Sequence, residues 1–149
     1  MIYADPGFLF SFYAWDDNTA AAQQLYHQDR RRPLVFTPWQ RFELRNAVRL
    51  ATHRLKRAKL PIRLAGGNVF REIESDLAAG RLKHRDANWL ETLRLAEDLS
   101  ANHTELLGSA AMDLWHVASA ILLEADTFWT FDMEQRSLAR TTKKFKTVA

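Results

Sequence analysis

Short apolar runs alternate with longer stretches of helical period along this chain, and that alternation most constrains what it can fold into. Ile2-Tyr3-Ala4 is closed by Asp5-Pro6-Gly7, Leu34-Val35-Phe36 by Thr37-Pro38, and Thr127-Phe128-Trp129-Thr130-Phe131 by Asp132. Runs this short, apolar on both sides, suit strands buried on both faces of a parallel sheet. The aromatic and β-branched third run favours a strand for the same reason. Phe145 to Val148 reads as a final strand.

The segments between them carry helix signals. Thr37 is a good N-cap, Pro38 suits the first helical position, and Gln40 completes a capping box. The helix they start is expected to run to about Arg57, with an apolar stripe of Leu44, Val48, Ala51 and Leu55. Further helices are expected from Asn18 or Thr19 to about Gln28, from about Val69 to Ala79, from Asp86 through Leu99, over Ser109–Glu124 and over Met133–Ala139. Leu82 and its neighbours fit either helix or strand. Asp5 reads as a turn residue favoured by the following Pro-Gly, with no helix start evident there. Strands alternating with helices imply an α/β fold: a single domain over residues 1–149, with a mainly parallel sheet flanked by helices.

Composition narrows the chemistry. The chain has no cysteine, which excludes disulfides, thiolate zinc sites and a Cys nucleophile. Its 21 Lys and Arg against 18 Asp and Glu give a net charge of +3, which permits nucleic-acid binding without demonstrating it. No apolar run reaches the roughly 18–20 residues of a membrane span. The start lacks the basic segment of a secretion signal and reads as a buried strand. A cytoplasmic protein is the expectation.

Ligands of open α/β sheets bind outside the carboxyl ends of the strands, which directs attention to Asp5 and Asp132. Glu43 lies in the second turn of its helix, where Asn46 and Ala47 share its face. Asp113 sits among apolar residues, and an unpartnered buried carboxylate is costly. His116, three residues on, is positioned to be its partner. Taken singly, each acid has a structural explanation: turn, helix border, histidine pair or N-cap. Taken together, four carboxylates with no Cys suit a hard divalent cation, Mg²⁺ or Mn²⁺. Such ions stabilise charge on a phosphoryl group and activate water.

Three stretches carry a family likeness: Ile2-Tyr3-Ala4-Asp5, Phe42-Glu43-Leu44-Arg45-Asn46-Ala47, and Met112-Asp113-Leu114-Trp115-His116-Val117-Ala118-Ser119-Ala120 followed by Ala125-Asp126-Thr127-Phe128-Trp129-Thr130-Phe131-Asp132. In these the chain resembles the PIN-domain ribonucleases, in particular the VapC-type toxins of toxin–antitoxin pairs. The resemblance covers essentially the whole chain. It implies an endoribonuclease whose Mg²⁺ or Mn²⁺ is held by Asp5, Glu43, Asp113 and Asp132, with Thr130, His116 and Asn46 supporting the pocket. It also implies an RNA substrate, a cognate VapB-like antitoxin and a homodimer. Asp126 falls in the turn before the last motif strand and is left out of the ligand set.

One departure stands out. The family usually follows its first Asp with Ser or Thr, and here Pro6-Gly7 follows. That opens an alternative, a catalytically weakened PIN module that binds RNA or a protein partner. A phosphatase using Asp5 as nucleophile is disfavoured, because its pattern has a second Asp two residues on and position 7 is Gly. RNA needs cationic reach. Arg45 and Arg49, on the Glu43 helix, are the favoured contacts, ahead of Arg30-Arg31-Arg32 and the tail lysines. Of the early aromatics (Phe8, Phe10, Phe12, Tyr13, Trp15), most are expected in the core or at a dimer surface.

Overall fold

The computed structural model describes residues 1–29, 32–60 and 66–148. Arg30 and Arg31 of the basic run, and the Pro61 turn, lie outside them. The described elements alternate as the sequence leads one to expect. They are β1 (Ile2–Ala4), α1 (Pro6–Tyr13), α2 (Thr19–Gln28), β2 (Leu34–Phe36), α3 (Pro38–Arg57), α4 (Gly66–Ala78), β3 (Leu82–His84), α5 (Trp89–Leu107), α6 (Ala111–Leu122), β4 (Thr127–Trp129), α7 (Met133–Thr141) and β5 (Lys146–Val148). The five strands form one sheet in the order β3-β2-β1-β4-β5, and every pair is parallel. The fold is therefore α/β, consistent with a single PIN-like domain.

Side chains alternate across a strand, and the three central strands β1, β2 and β4 each feed two cores. Ile2, Ala4, Leu34, Phe36 and Trp129 point to one face, where α1, α2, α3 and α4 pack through Phe8, Leu9, Tyr26, Leu44, Val48 and Ile73. Tyr3, Val35 and Phe128 point to the other, against Leu99 of α5, Val117 and Ala118 of α6, and Leu138 of α7. Both faces are covered, so the strands show continuous apolar sequence rather than alternation.

Strand order reverses at β1: the chain leaves it for β2 on one side and returns to β4 on the other. That crevice is the expected ligand position in a doubly wound sheet. Register pairs Ala4 with Trp129, and the Asp5 N–H donates to the Trp129 carbonyl at 3.0 Å. The residues following β1 and β4 are thereby held side by side.

Three local expectations need correction, and one open reading, at Leu82, is settled. Asp5-Pro6-Gly7 is a helix start, not a turn. Asp5 is extended (φ −66°, ψ 162°), its carboxylate accepts the Phe8 N–H at 2.7 Å, and Pro6 opens α1. A proline there gives up only an N–H that the helix would leave unpaired. Residues 82–84 resolve as the edge strand β3. Asn88, not Asp86, caps α5, accepting from the Glu91 N–H at 3.1 Å. At α2, Asn18 occupies the cap position without a side-chain cap bond. The Thr37–Gln40 capping box is present as read.

Phe128 is fully buried, stacked on Tyr3 with centroids 5.5 Å apart and packed against Phe145. Phe128→Ala is expected to lower the unfolding free energy by about 3–5 kcal/mol in urea titrations. A loss under about 1 kcal/mol would mean that this face of the sheet is not closely packed.

Candidate functional site

An open cavity of about 700 Å³ lies over the carboxyl ends of β1 and β4. Asp5, Glu43 and Asp132 line it, and so does the Asn46–Ala47 face that shares the α3 turn with Glu43. Among the described residues, no Lys or Arg lines it. Phe10, Trp39, Phe42, Leu50, Met112 and Phe131 form the apolar part of its wall. Asp113 is not among the residues lining it; it lies half-buried on the first turn of α6, next to the lining residue Met112.

Each acid already serves the fold. Asp5 caps α1, and Asp132 caps α7 by accepting the Gln135 N–H at 2.8 Å. Asp113 accepts the Ala110 N–H at 3.1 Å and the Gln135 side-chain amide at 3.3 Å. Glu43 has one carboxylate oxygen buried 2.8 Å from His116 Nε2. The contact is close, but the ring N–H is not squarely aimed at the oxygen, and neither atom has a better partner. The other ring nitrogen, Nδ1, lies 2.9 Å from the Tyr3 hydroxyl. His116 thus backs Glu43 rather than pairing with Asp113 as the i+3 spacing suggested. Thr130, fully buried, accepts the Asp132 N–H at 3.0 Å and fixes the start of that turn.

The charges feel one another. Asp5 is 7% exposed, and burial pushes its pKa up to about 6. The Phe8 N–H and His116 oppose that rise, and Asp132 adds to it. Burial also raises Asp113, with Asp132 and Glu134 adding to the rise while the Ala110 N–H and His116 oppose it. Gly7 permits the arrangement: a Cβ at that position would sit 3.2 Å from the Asp5 Oδ2, crowding the carboxylate.

Among the described residues, no three His, Asp or Glu side chains lie close enough together to share one metal ion. Capping explains this in part, since each aspartate has an oxygen turned toward a helix N–H. The donor chemistry nevertheless suits a hard cation: all-oxygen ligands, one of them deeply buried, with no basic side chain lining the cavity.

Other sequence-derived candidates sit elsewhere. Arg45 and Arg49 lie 4.4 and 5.4 Å over the Phe70 ring, and Arg45 is 3.6 Å from Glu74, so α4 engages both. Arg32 is tied to Asp29 and Asp126, which gives Asp126 a structural role. Of the early aromatics, Phe8 and Tyr13 are core, Phe10 lines the cavity and Trp15 is exposed. Sequence reading missed Asp16, a further acid of the cavity wall, held by the Ser11 hydroxyl at 2.7 Å. Its only signal was the polar run Asp16-Asp17-Asn18-Thr19, which reads as a helix start. Trp39 and Met112 were also missed as walls. No helix among the described residues is long and apolar enough to cross a membrane.

Compared with known proteins, the chain matches no family model, and no curated protein matches it.

The Asp5 pKa in the fold lies above its unfolded value of about 3.9, so the folded state holds this proton more tightly. Stability then declines as pH rises from about 4 through about 6. Asp5→Asn keeps an oxygen for the Phe8 N–H and removes the buried charge. It is expected to exceed the parent by about 1–3 kcal/mol above pH ~7, with the gap closing by pH ~4. Denaturant melts across that range check this, and a gap independent of pH contradicts it.

Proposed function

We propose that the chain is a metal-dependent endoribonuclease of the PIN type, resembling VapC toxins. The observation that carries the reading is the meeting of Asp5, Glu43 and Asp132 in one cavity at the sheet's switch point, with Asp113 electrostatically coupled behind it. An acidic cavity with no lining Lys or Arg repels a phosphodiester unless a cation bridges the two. Asp5, Glu43, Asp113 and Asp132 would hold Mg²⁺ or Mn²⁺, which would neutralise phosphate charge and supply an activated water. The protein's own residues set the stage. β1 and β4 fix Asp5 and Asp132, while His116 and Tyr3 buttress Glu43. Phe10, Phe42 and Phe131 give the cavity an apolar lining beside the acids, and electrostatic effects are strengthened next to apolar surface.

The remaining expectations, an antitoxin that covers the cavity, a homodimer and a cytoplasmic location, belong to the same reading. A second reading, binding without cleavage, is favoured by the separation of the acids, no three of which share one ion's reach among the described residues. The two diverge in one assay.

Purified protein is expected to cut single-stranded RNA with Mg²⁺ or Mn²⁺ and to stop with EDTA. Asp113→Asn and Asp132→Asn, which keep their helix-start hydrogen bonds, are expected to slow cleavage by about 100-fold or more. Cleavage by the variants equal to the parent's would overturn the reading. RNA binding without metal-dependent cleavage would support the alternative.

A further inference from the structure

Beside the acidic cavity runs an aromatic cleft that neither the fold nor the proposed hydrolysis needs. Trp39 on the first turn of α3 lines three hollows at once: the acidic cavity, a cleft of about 270 Å³ and a second of about 390 Å³. Phe42 continues the wall from the cavity into the first cleft, and Met112 continues it into the second. Trp89 lies 4.3 Å from Trp115 and 5.8 Å from Trp39 between ring centroids, so three indoles from α3, α5 and α6 form one surface. Trp89 is 55% exposed and Phe42 59%. Large aromatics left in water at the rim of a cavity mark a binding surface.

The smaller cleft also has a polar wall. Asp86 lines it, in the loop between β3 and α5. Asn88, not Asp86, caps α5, and the Asp86 carboxylate accepts no hydrogen bond among the described residues. Arg85, the residue before it, is exposed and pairs with no carboxylate among the described residues; its guanidinium donates to the His84 carbonyl. The buried Trp39 indole N–H has no acceptor. Flat aromatic faces and an open carboxylate, with a cation on the neighbouring residue, together match one ligand chemistry: an unpaired nucleobase of a single-stranded chain.

The carboxylate narrows the base. Its two oxygens accept and do not donate. Among the four RNA bases, guanine alone offers two neighbouring N–H donors, N1–H and the N2 amine, on its pairing edge. We infer that the Trp39–Trp89–Trp115 cleft is a base-binding subsite, selective for guanine through Asp86, adjoining the cavity that would receive the phosphodiester. The inference rests on the ribonuclease reading for its substrate class, and the continuous lining through Trp39 and Phe42 joins the two sites.

The test uses the full chain in EDTA, so that binding is read without cleavage. The protein has five tryptophans, and ¹H–¹⁵N spectra report their indole N–H signals. Titration with 5′-GMP is expected to shift Trp39, Trp89 and Trp115 and to leave Trp15 and Trp129 unmoved. AMP, CMP and UMP are expected to bind about tenfold more weakly. Trp89→Ala, at an exposed position, is expected to weaken all four nucleotides by about fivefold or more. Asp86→Asn is expected to remove the preference for GMP and spare the stacking. No shift of these indoles at millimolar nucleotide overturns the subsite. So does a preference that survives Asp86→Asn, or indole shifts that follow protein concentration instead, which would assign the cleft to a second copy of the chain. GMP binding by a protein that cuts no RNA would refute the nuclease reading and leave the subsite standing. Cleavage without GMP binding would do the reverse.

Discussion

Everything at the candidate site depends on β1 being hydrogen-bonded on both edges. Ile2, Tyr3 and Ala4 are fully buried, with β2 on one side and β4 on the other. The residue that follows them has no route to solvent except through the crevice where strand order reverses. Asp5 is that residue. Its N–H is tied to β4 and its carboxylate to the first turn of α1, so both its position and its rotation are set by the sheet. The tryptophan and phenylalanine walls only shape a hollow that β1 has already placed.

Gathering carboxylates at one sheet edge is electrostatically unfavourable, and the fold answers with backbone N–H groups. Asp5, Asp113 and Asp132 each stand at the first turn of a helix, α1, α6 and α7 respectively, where unpaired N–H groups and the helix dipole favour negative charge. Glu43 is farther along α3 and is met instead by a buried imidazole. The Tyr3 hydroxyl behind that imidazole is held neutral: burial raises its pKa, and Glu43 and Asp5 raise it further. Negative charge thus stops at the cavity lining and does not extend into the core.

Much of this was legible in the sequence where the signal was local. The three apolar runs form strands, the third stopping at Trp129 rather than Phe131, and the Thr37–Gln40 box and the Glu43–Asn46–Ala47 face are as read, because each depends on residues within one turn or one strand. α1 was not legible. Asp-Pro is a helix-start signal, but Phe8-Leu9-Phe10 is apolar without a 3.6 period, since the helix meets sheet and helices on more than one side. Pairings across the fold were out of reach for a different reason. The partners of His116 are Tyr3 and Glu43, more than 70 residues away, and no spacing along α6 encodes them. Arg45 and Arg49 likewise face α4, an element whose placement only the packed structure supplies. The three indoles of the aromatic cleft come from separate helices and look unrelated in sequence.

The double duty of the aspartates has a consequence for descent. A helix that loses its capping Asp to Ala loses about 0.5–2 kcal/mol, a sizeable part of a small domain's margin. Selection for folding alone therefore keeps a capping side chain at positions 5 and 132, Asp or Asn, whatever becomes of the chemistry. Glu43 caps nothing. In a lineage without the proposed activity, that glutamate is the acid free to drift first. Among relatives of this chain, what stands at position 43 would be the more telling record of whether the proposed activity is under selection.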